Sequence, residues 1–177
     1  YNIIVHSPNA TGKYDFIESL IRDYYYQSDI KISGDITSSP DILYVSLPIY
    51  DKSGNKSRVL TNDERLMYEF GFEDKFDNNR VGTEITIDQI RSLNDFTSLS
   101  SFYNHKFIII NNCNYLNNQA SAALLKTLEE TNCPAIFILL ASDLFNIKDT
   151  IKSRCHCFAY DYASEEDATH TFFDYFF

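Results

Sequence analysis

Residues 106–155 decide the fold. They run Lys106-Phe107-Ile108-Ile109-Ile110-Asn111-Asn112, then Asn117-Asn118-Gln119-Ala120-Ser121-Ala122-Ala123-Leu124-Leu125-Lys126-Thr127-Leu128-Glu129-Glu130, then Ala135-Ile136-Phe137-Ile138-Leu139-Leu140, and close on Ile151-Lys152-Ser153-Arg154-Cys155. Two short apolar runs rich in β-branched residues, separated by a stretch of helix formers, predict strand–helix–strand. Near-continuous apolar strands belong to a parallel sheet covered on both faces. Ligands of such sheets sit beyond the carboxyl ends of the strands. The positions to interrogate are therefore Asn111 and Asn112, Ser142 and Asp143, and the loop after the first run at 1–6.

Working outward, residues 1–6 predict the first strand, and Ile17, Leu20, Ile21, Tyr24 and Tyr25 recur at helical spacing behind it. Between them lies Ser7-Pro8-Asn9-Ala10-Thr11-Gly12-Lys13-Tyr14. Strand, turn and helix with Gly-Lys at the helix start is the setting of a phosphate-binding loop, which aims backbone N–H groups, a Lys and a helix N-terminus at phosphate. A working loop reads G-x-x-x-x-G-K-[ST]. Here Ser7 stands for the first Gly, and Tyr14 for the hydroxyl residue that holds Mg²⁺. A phenol on a long ring does not fit where a compact hydroxyl meets the metal. The loop reads as one that keeps the turn without the ligand.

Residues 106–111 predict a strand whose end, in a hydrolysing ATPase, carries an acid for the Mg²⁺ shell and another to orient the attacking water. This chain has Asn111 and Asn112. An amide neither neutralises Mg²⁺ nor takes up a proton. Tyr14, Asn111 and Asn112 together predict a site that does not hydrolyse ATP; no cofactor is expected there, with ATP held without hydrolysis as the alternative.

Elsewhere, 30–40 reads as a polar connection, 41–48 as a strand closed by Pro48, and 49–60 as a hairpin about Ser53-Gly54-Asn55. A short helix is predicted at 62–70 and a charged, Asn-rich loop at 73–80. Thr86 and Gln89 have capping-box spacing, with Ile90, Leu93 and Leu99 on the buried face of the helix that follows. Ala120, Leu124 and Leu128 share one face of the helix predicted at 117–130. Residues 135–142 predict a strand, 148–152 a helical turn and 156–160 the last strand. Ser164-Glu165-Glu166-Asp167 starts a further helix, with acids in its first turn, and the aromatic stretch 172–177 reads as a cut inside it. The expected organisation is an α/β core over 1–162 and the start of a small helical domain over 163–177.

Composition limits the function. The 177 residues are 44 % hydrophobic, with 13 Tyr and 14 Phe, so a globular core is expected. No apolar stretch reaches the ~18 residues of a membrane helix, and the strand-like start has no basic region before it, so no secretory leader is expected. The net charge of −10 disfavours direct DNA binding, and with it a reading as a DNA-contacting scaffold. Cys113, Cys133, Cys155 and Cys157 form no C-x-x-C pair and no zinc spacing. They read as reduced thiols of a cytoplasmic protein.

The stretches Asn-Gln-Ala-Ser-Ala-Ala-Leu-Leu-Lys-Thr-Leu-Glu-Glu at 118–130, Ile-Phe-Ile-Leu-Leu at 136–140 and Ile-Lys-Ser-Arg-Cys at 151–155 strongly resemble the AAA+ clamp-loader family. Ile87-Asp88-Gln89-Ile90-Arg91-Ser92-Leu93 and Pro40-Asp41-Ile42 resemble it too, so the likeness covers most of 1–160. Within the family, the resemblance is to the silent δ′ branch of the bacterial DNA polymerase III loader. The resemblance implies an AAA+/RecA-like P-loop fold with a five-stranded parallel sheet, helices on both faces and a helical lid. It implies a subunit that helps load the sliding clamp onto primed DNA beside motor subunits and a wrench subunit, without crossing a membrane. Ser-Arg-Cys in that family presents an arginine finger to the ATP of a neighbouring motor, so Arg154 would be the finger, with Ser153 and Cys155 shaping its turn. An isolated Arg reads as a surface ion pair, and it is the Ser-Arg-Cys context that reverses this. Guanidinium chemistry agrees, being permanently charged and forked to meet developing phosphoryl charge. The alternative is a divergent motor that still hydrolyses ATP. The chain departs from many family members in having no Cys before Cys113 and hence no four-cysteine zinc module, and it departs from motors in its loop and its two asparagines.

Overall fold

A computed structural model describes residues 1–8, 12–72, 76, 79–130 and 134–161. The helix expected from Ser164 and the lid over 163–177 lie outside them. The centre is a five-stranded sheet in the order β2-β6-β7-β1-β8, formed by β1 (Asn2–His6), β2 (Ile42–Val45), β6 (Lys106–Asn111), β7 (Ala135–Ala141) and β8 (His156–Ala159). Every neighbouring pair is parallel, as the apolar runs required.

Burial on both faces follows from the period-2 alternation of strands. Ile108 and Ile110 of β6, with Phe137 and Leu139 of β7, enter one core with Ile90, Leu93, Ala120 and Leu124. Phe107, Ile109, Ile136, Ile138 and Leu140 enter the other, under Phe16, Ile17, Leu20, Ile21 and Tyr25. The second core lies beneath α1 (Lys13–Gln27), and the first beneath α3 (Ile87–Ser98) and α4 (Asn118–Glu130). Helix α4 starts where Asn117 Oδ1 accepts from the Ala120 N–H at 2.8 Å, an ordinary side-chain cap.

Two polar clamps hold the amino edge of the sheet. Asp41, fully buried, accepts from the Phe102 and Tyr103 N–H groups at 3.0 and 2.6 Å. Lys106, also buried, sends its ammonium to the Phe96 and Leu99 carbonyls, over the Phe96 ring.

The stretch predicted as one strand at 41–48 is two elements. β2 stops at Val45, and Pro48 opens β3 (Pro48–Tyr50) in a separate antiparallel sheet, ordered β4-β3-β5, with β4 (Lys56–Val59) and β5 (Arg80–Val81). Proline lacks the N–H that a central strand must donate, so it is tolerated at a strand start; its carbonyl still accepts from Gly82 N at 2.7 Å. The hairpin expected at 49–60 is β3–β4. Its turn is organised by Asp51 Oδ1, which accepts from Ser53 and Asn55 N–H at 2.8 and 2.9 Å, with Gly54 at φ 82°. Arg80 lies in β5 and not in the loop expected at 73–80. Leu99 is 66 % exposed: α3 ends at Ser98, the chain turns extended, and Phe96 packs against the core instead.

Candidate functional site

Two constellations form at opposite edges of the sheet. At the carboxyl edge, β1 hands the chain to the Ser7–Tyr14 loop. Gly12 sits at φ 81° as the N-cap of α1, a left-handed position that favours glycine. Lys13 is 4 % exposed. Its ammonium donates to the Ser7 and Pro8 carbonyls at 3.1 and 3.3 Å. Burial, with the nearby Arg65 guanidinium adding to it, pushes the Lys13 pKa down to about 8.

Helix α2 (Asn62–Glu69) lines the space beside Gly12 and Lys13. Thr61 starts this helix by a capping box, its side chain taking the Glu64 N–H at 3.3 Å while Glu64 takes the Thr61 N–H at 3.0 Å. Arg58 of β4 meets Glu64 at 2.5 Å and ties the small sheet to the helix start. Helix α2 turns Arg65 inward, to 2 % exposure. Arg65 meets Glu69 one turn on at 2.5 Å, both side chains buried. Asn111 donates its amide to Tyr44 Oη at 2.8 Å and to Asn62 Oδ1 at 3.1 Å. Asn112, held at φ 63°, donates to Glu69 Oε1 at 2.5 Å.

The amide N–H groups of Asn111 and Asn112 thus meet protein side chains, and Glu69 Oε1 accepts from both the Arg65 guanidinium and the Asn112 amide, while Asn111 Oδ1, Asn112 Oδ1 and Glu69 Oε2 are buried without a hydrogen-bond partner. Tyr14 lies edge-on to Tyr44 at 5.8 Å, and burial raises its pKa, with the Tyr44 hydroxyl adding to the shift. A cavity of about 100 Å³ is left, lined by Gly12, Lys13, Tyr14, Asp15, Asn62, Arg65 and Leu66. Small-molecule sites span roughly 300–1,000 Å³. A larger open groove of about 1100 Å³ between α3 and α4 shares no residue with either constellation. Ser142 is not turned to the loop's chemistry: its N–H donates to Asn114 Oδ1 at 2.8 Å and its hydroxyl to Asp143 at 3.2 Å. Among the described residues, no cluster of three or more His, Cys, Asp or Glu is placed to hold a metal ion.

At the amino edge, α5 (Asp149–Lys152) ends in the Ser153-Arg154-Cys155 turn, closed by Arg154 N–H to Ile151 O at 3.0 Å and Cys155 N–H to Lys152 O at 3.2 Å. Asn2, at the start of β1, donates to the Arg154 carbonyl at 3.2 Å. The guanidinium donates to Thr150 O at 3.0 Å and Ser153 Oγ at 3.3 Å, and its other nitrogen meets the Glu129 carboxylate of α4. Burial pushes the Cys155 thiol up to about 12, with Cys157 adding to the shift, so it stays a neutral packing group.

Ile3 of β1 pairs with His156 of β8, so Arg154 precedes β8 at the edge where β1 begins, whereas Lys13 follows the edge where β1 ends. Five residues of strand at ~3.3 Å each separate the two levels by roughly 15 Å. Arg154 is not assembled with Lys13, Asn111 or Asn112.

Sequence reasoning missed Tyr44, Asn62, Arg65, Glu69 and Glu129. Arg65 and Glu69 stand four apart, the spacing of a helical ion pair. Hydropathy, however, would bury Met67 and Phe70, which are 39 and 62 % exposed.

Residues 38–162 match the family described as DNA polymerase III, delta subunit. A DNA polymerase III subunit delta′ of Haemophilus influenzae is 33 % identical over 88 residues, 49 % of this chain and 27 % of that protein. A DNA polymerase III gamma subunit-related protein of Thermotoga maritima superimposes with TM-score 0.56 at 21 % identity, over 90 % of this chain and 40 % of its own. A Thermotoga maritima RuvB variant gives TM-score 0.50 at 11 % identity, over 98 and 44 %. The chain thus spans under half the length of these relatives. The two structures support the AAA+ P-loop fold alone.

Proposed function

Because the chain belongs to the DNA polymerase III delta subunit family, we propose that it is a δ′-like, catalytically silent part of a clamp loader that lends Arg154 to the ATP of a neighbouring motor subunit. The observation that carries this reading is the division of the molecule. The forked cation stands at one edge, and this chain's own loop, closed by Arg65 and Glu69, stands at the other. A guanidinium so placed cannot serve its own loop, and it is suited to a phosphate brought by another chain. The loop lacks the acids that hold Mg²⁺ and orient water, and its lysine is spent on backbone carbonyls. In this reading the subunit works in the cytoplasm within the polymerase holoenzyme, assembled with motor and wrench subunits, and reaches the sliding clamp and primer-template DNA through them. No described helix is long and apolar enough to cross a membrane.

The test is Arg154→Ala in the full-length subunit, assembled with motor subunits, with hydrolysis followed in a single turnover at the site that faces it. A finger supplied in trans is worth on the order of 10³–10⁵ in rate, so a fall of about 10³ with intact assembly is expected. An unchanged rate would overturn the assignment.

A further inference from the structure

We propose that Glu129 is a positioning residue that parks the Arg154 guanidinium on α4, so that a nucleotide in the neighbouring subunit must draw Arg154 away from it. The inference rests on the trans role proposed above. Arg154 is fixed at its backbone: its N–H is bound to Ile151 O, and its carbonyl accepts from Asn2. Only the side chain is left to move. Two of its partners, Thr150 O and Ser153 Oγ, belong to its own turn; Glu129 comes from another element. The neighbouring charges are otherwise engaged, Glu130 with Lys126 at 3.8 Å and Asp149 with Lys152 at 2.7 Å.

The pair is poised for release and not for permanence. Its side chains are 38 and 43 % exposed, and ion pairs in such settings are weak because water screens them and two long side chains must be held still. A phosphate carries more charge than a carboxylate and accepts the guanidinium fork at two oxygens. Glu129 cannot remain close beside an engaged phosphate, since like charges repel. It therefore competes with nucleotide for Arg154 and does not assist it.

Glu129→Gln in the full-length subunit tests this, with the adjacent site's hydrolysis measured across ATP concentration in the assembled loader. Weakening the park should lower KM for ATP by roughly two- to fivefold, the span of a half-exposed pair, and leave kcat unchanged. In an Arg154→Ala background the same change should have no effect on KM, since no guanidinium is left to park. An unchanged KM, with Arg154→Ala still depressing hydrolysis, overturns the parking role alone. A lower kcat at constant KM also overturns it, because Glu129 would then orient the engaged finger. If Arg154→Ala is without effect, the trans reading fails and this inference with it.

Discussion

The Lys13 corner and the Arg154 turn are both built around a cation, a carboxylate and backbone carbonyls, yet they are opposite in physical character. Arg65 and Glu69 are side chains at 3 and 6 % exposure, with Asn62 accepting from Arg65 and Asn112 donating to Glu69. Arg154 and Glu129 are near 40 %, and Arg154 otherwise leans only on its own turn. A buried pair is locked because removing either partner strands a charge in low dielectric. A half-exposed pair is replaceable because water takes over when it opens. In the proposed reading the same groups make a plug in one place and a latch in the other, with burial separating the two.

That contrast can be broken by mutation, and the largest effect belongs to the plug. Arg65→Ala leaves Glu69 buried without its cation and should destabilise the domain by about 3–5 kcal/mol in urea unfolding. Replacing Arg65 with Met and Glu69 with Leu together should recover most of that loss. If Arg65→Ala is no more harmful than Glu129→Gln, burial is not what separates the two regions.

The next effect is in pH. Lys13 titrates near 8 in the folded chain and 10.5 is its ordinary value. From about pH 8 to 10.5 the unfolded state holds the extra proton, so this group makes stability rise with pH, and below 8 its full penalty applies. Cys113 and Cys155, whose pKa values burial raises, act the other way from about pH 9. The wild type minus Lys13→Met difference isolates the lysine. That difference should shift by about 1–3 kcal/mol in favour of the wild type across pH 8–10.5. A flat difference would mean that Lys13 is not desolvated.

Smaller still, Glu129→Gln should change unfolding free energy by less than about 1 kcal/mol, read by thermal melting. Last comes an expected zero. Tyr14→Thr restores the loop hydroxyl and nothing else, since Asn111 and Asn112 still supply amides where acids are needed. Measurable ATP turnover by that variant would show that the corner is closed less completely than its hydrogen bonds imply.

Much of the molecule was legible before its structure. The near-continuous apolar runs at 107–110 and 135–140 fit strands buried on both faces, the setting of a parallel sheet. That Lys13 opens a helix after the first strand, that Asn111 ends a central strand and that Arg154 sits in a turn before the last one were readable because each is a local pattern. Pro48 was misread as an ending because a chain break between two sheets and a strand terminus look alike in one dimension. Leu99 was misread because helical spacing does not report where the helix stops.

What the linear chain determined by itself was the sheet, its two covered faces and which residue types stand at the strand ends, since these follow from periodicity and side-chain chemistry within a few residues. Tertiary structure alone decided that α2 turns Arg65 and Glu69 into the loop corner, against the hydropathy of Met67 and Phe70. It also decided that Glu129 meets Arg154, and that the two constellations lie on opposite edges of the sheet. Those are pairings between residues distant in the chain, and only the packing of helices on a finished sheet specifies them.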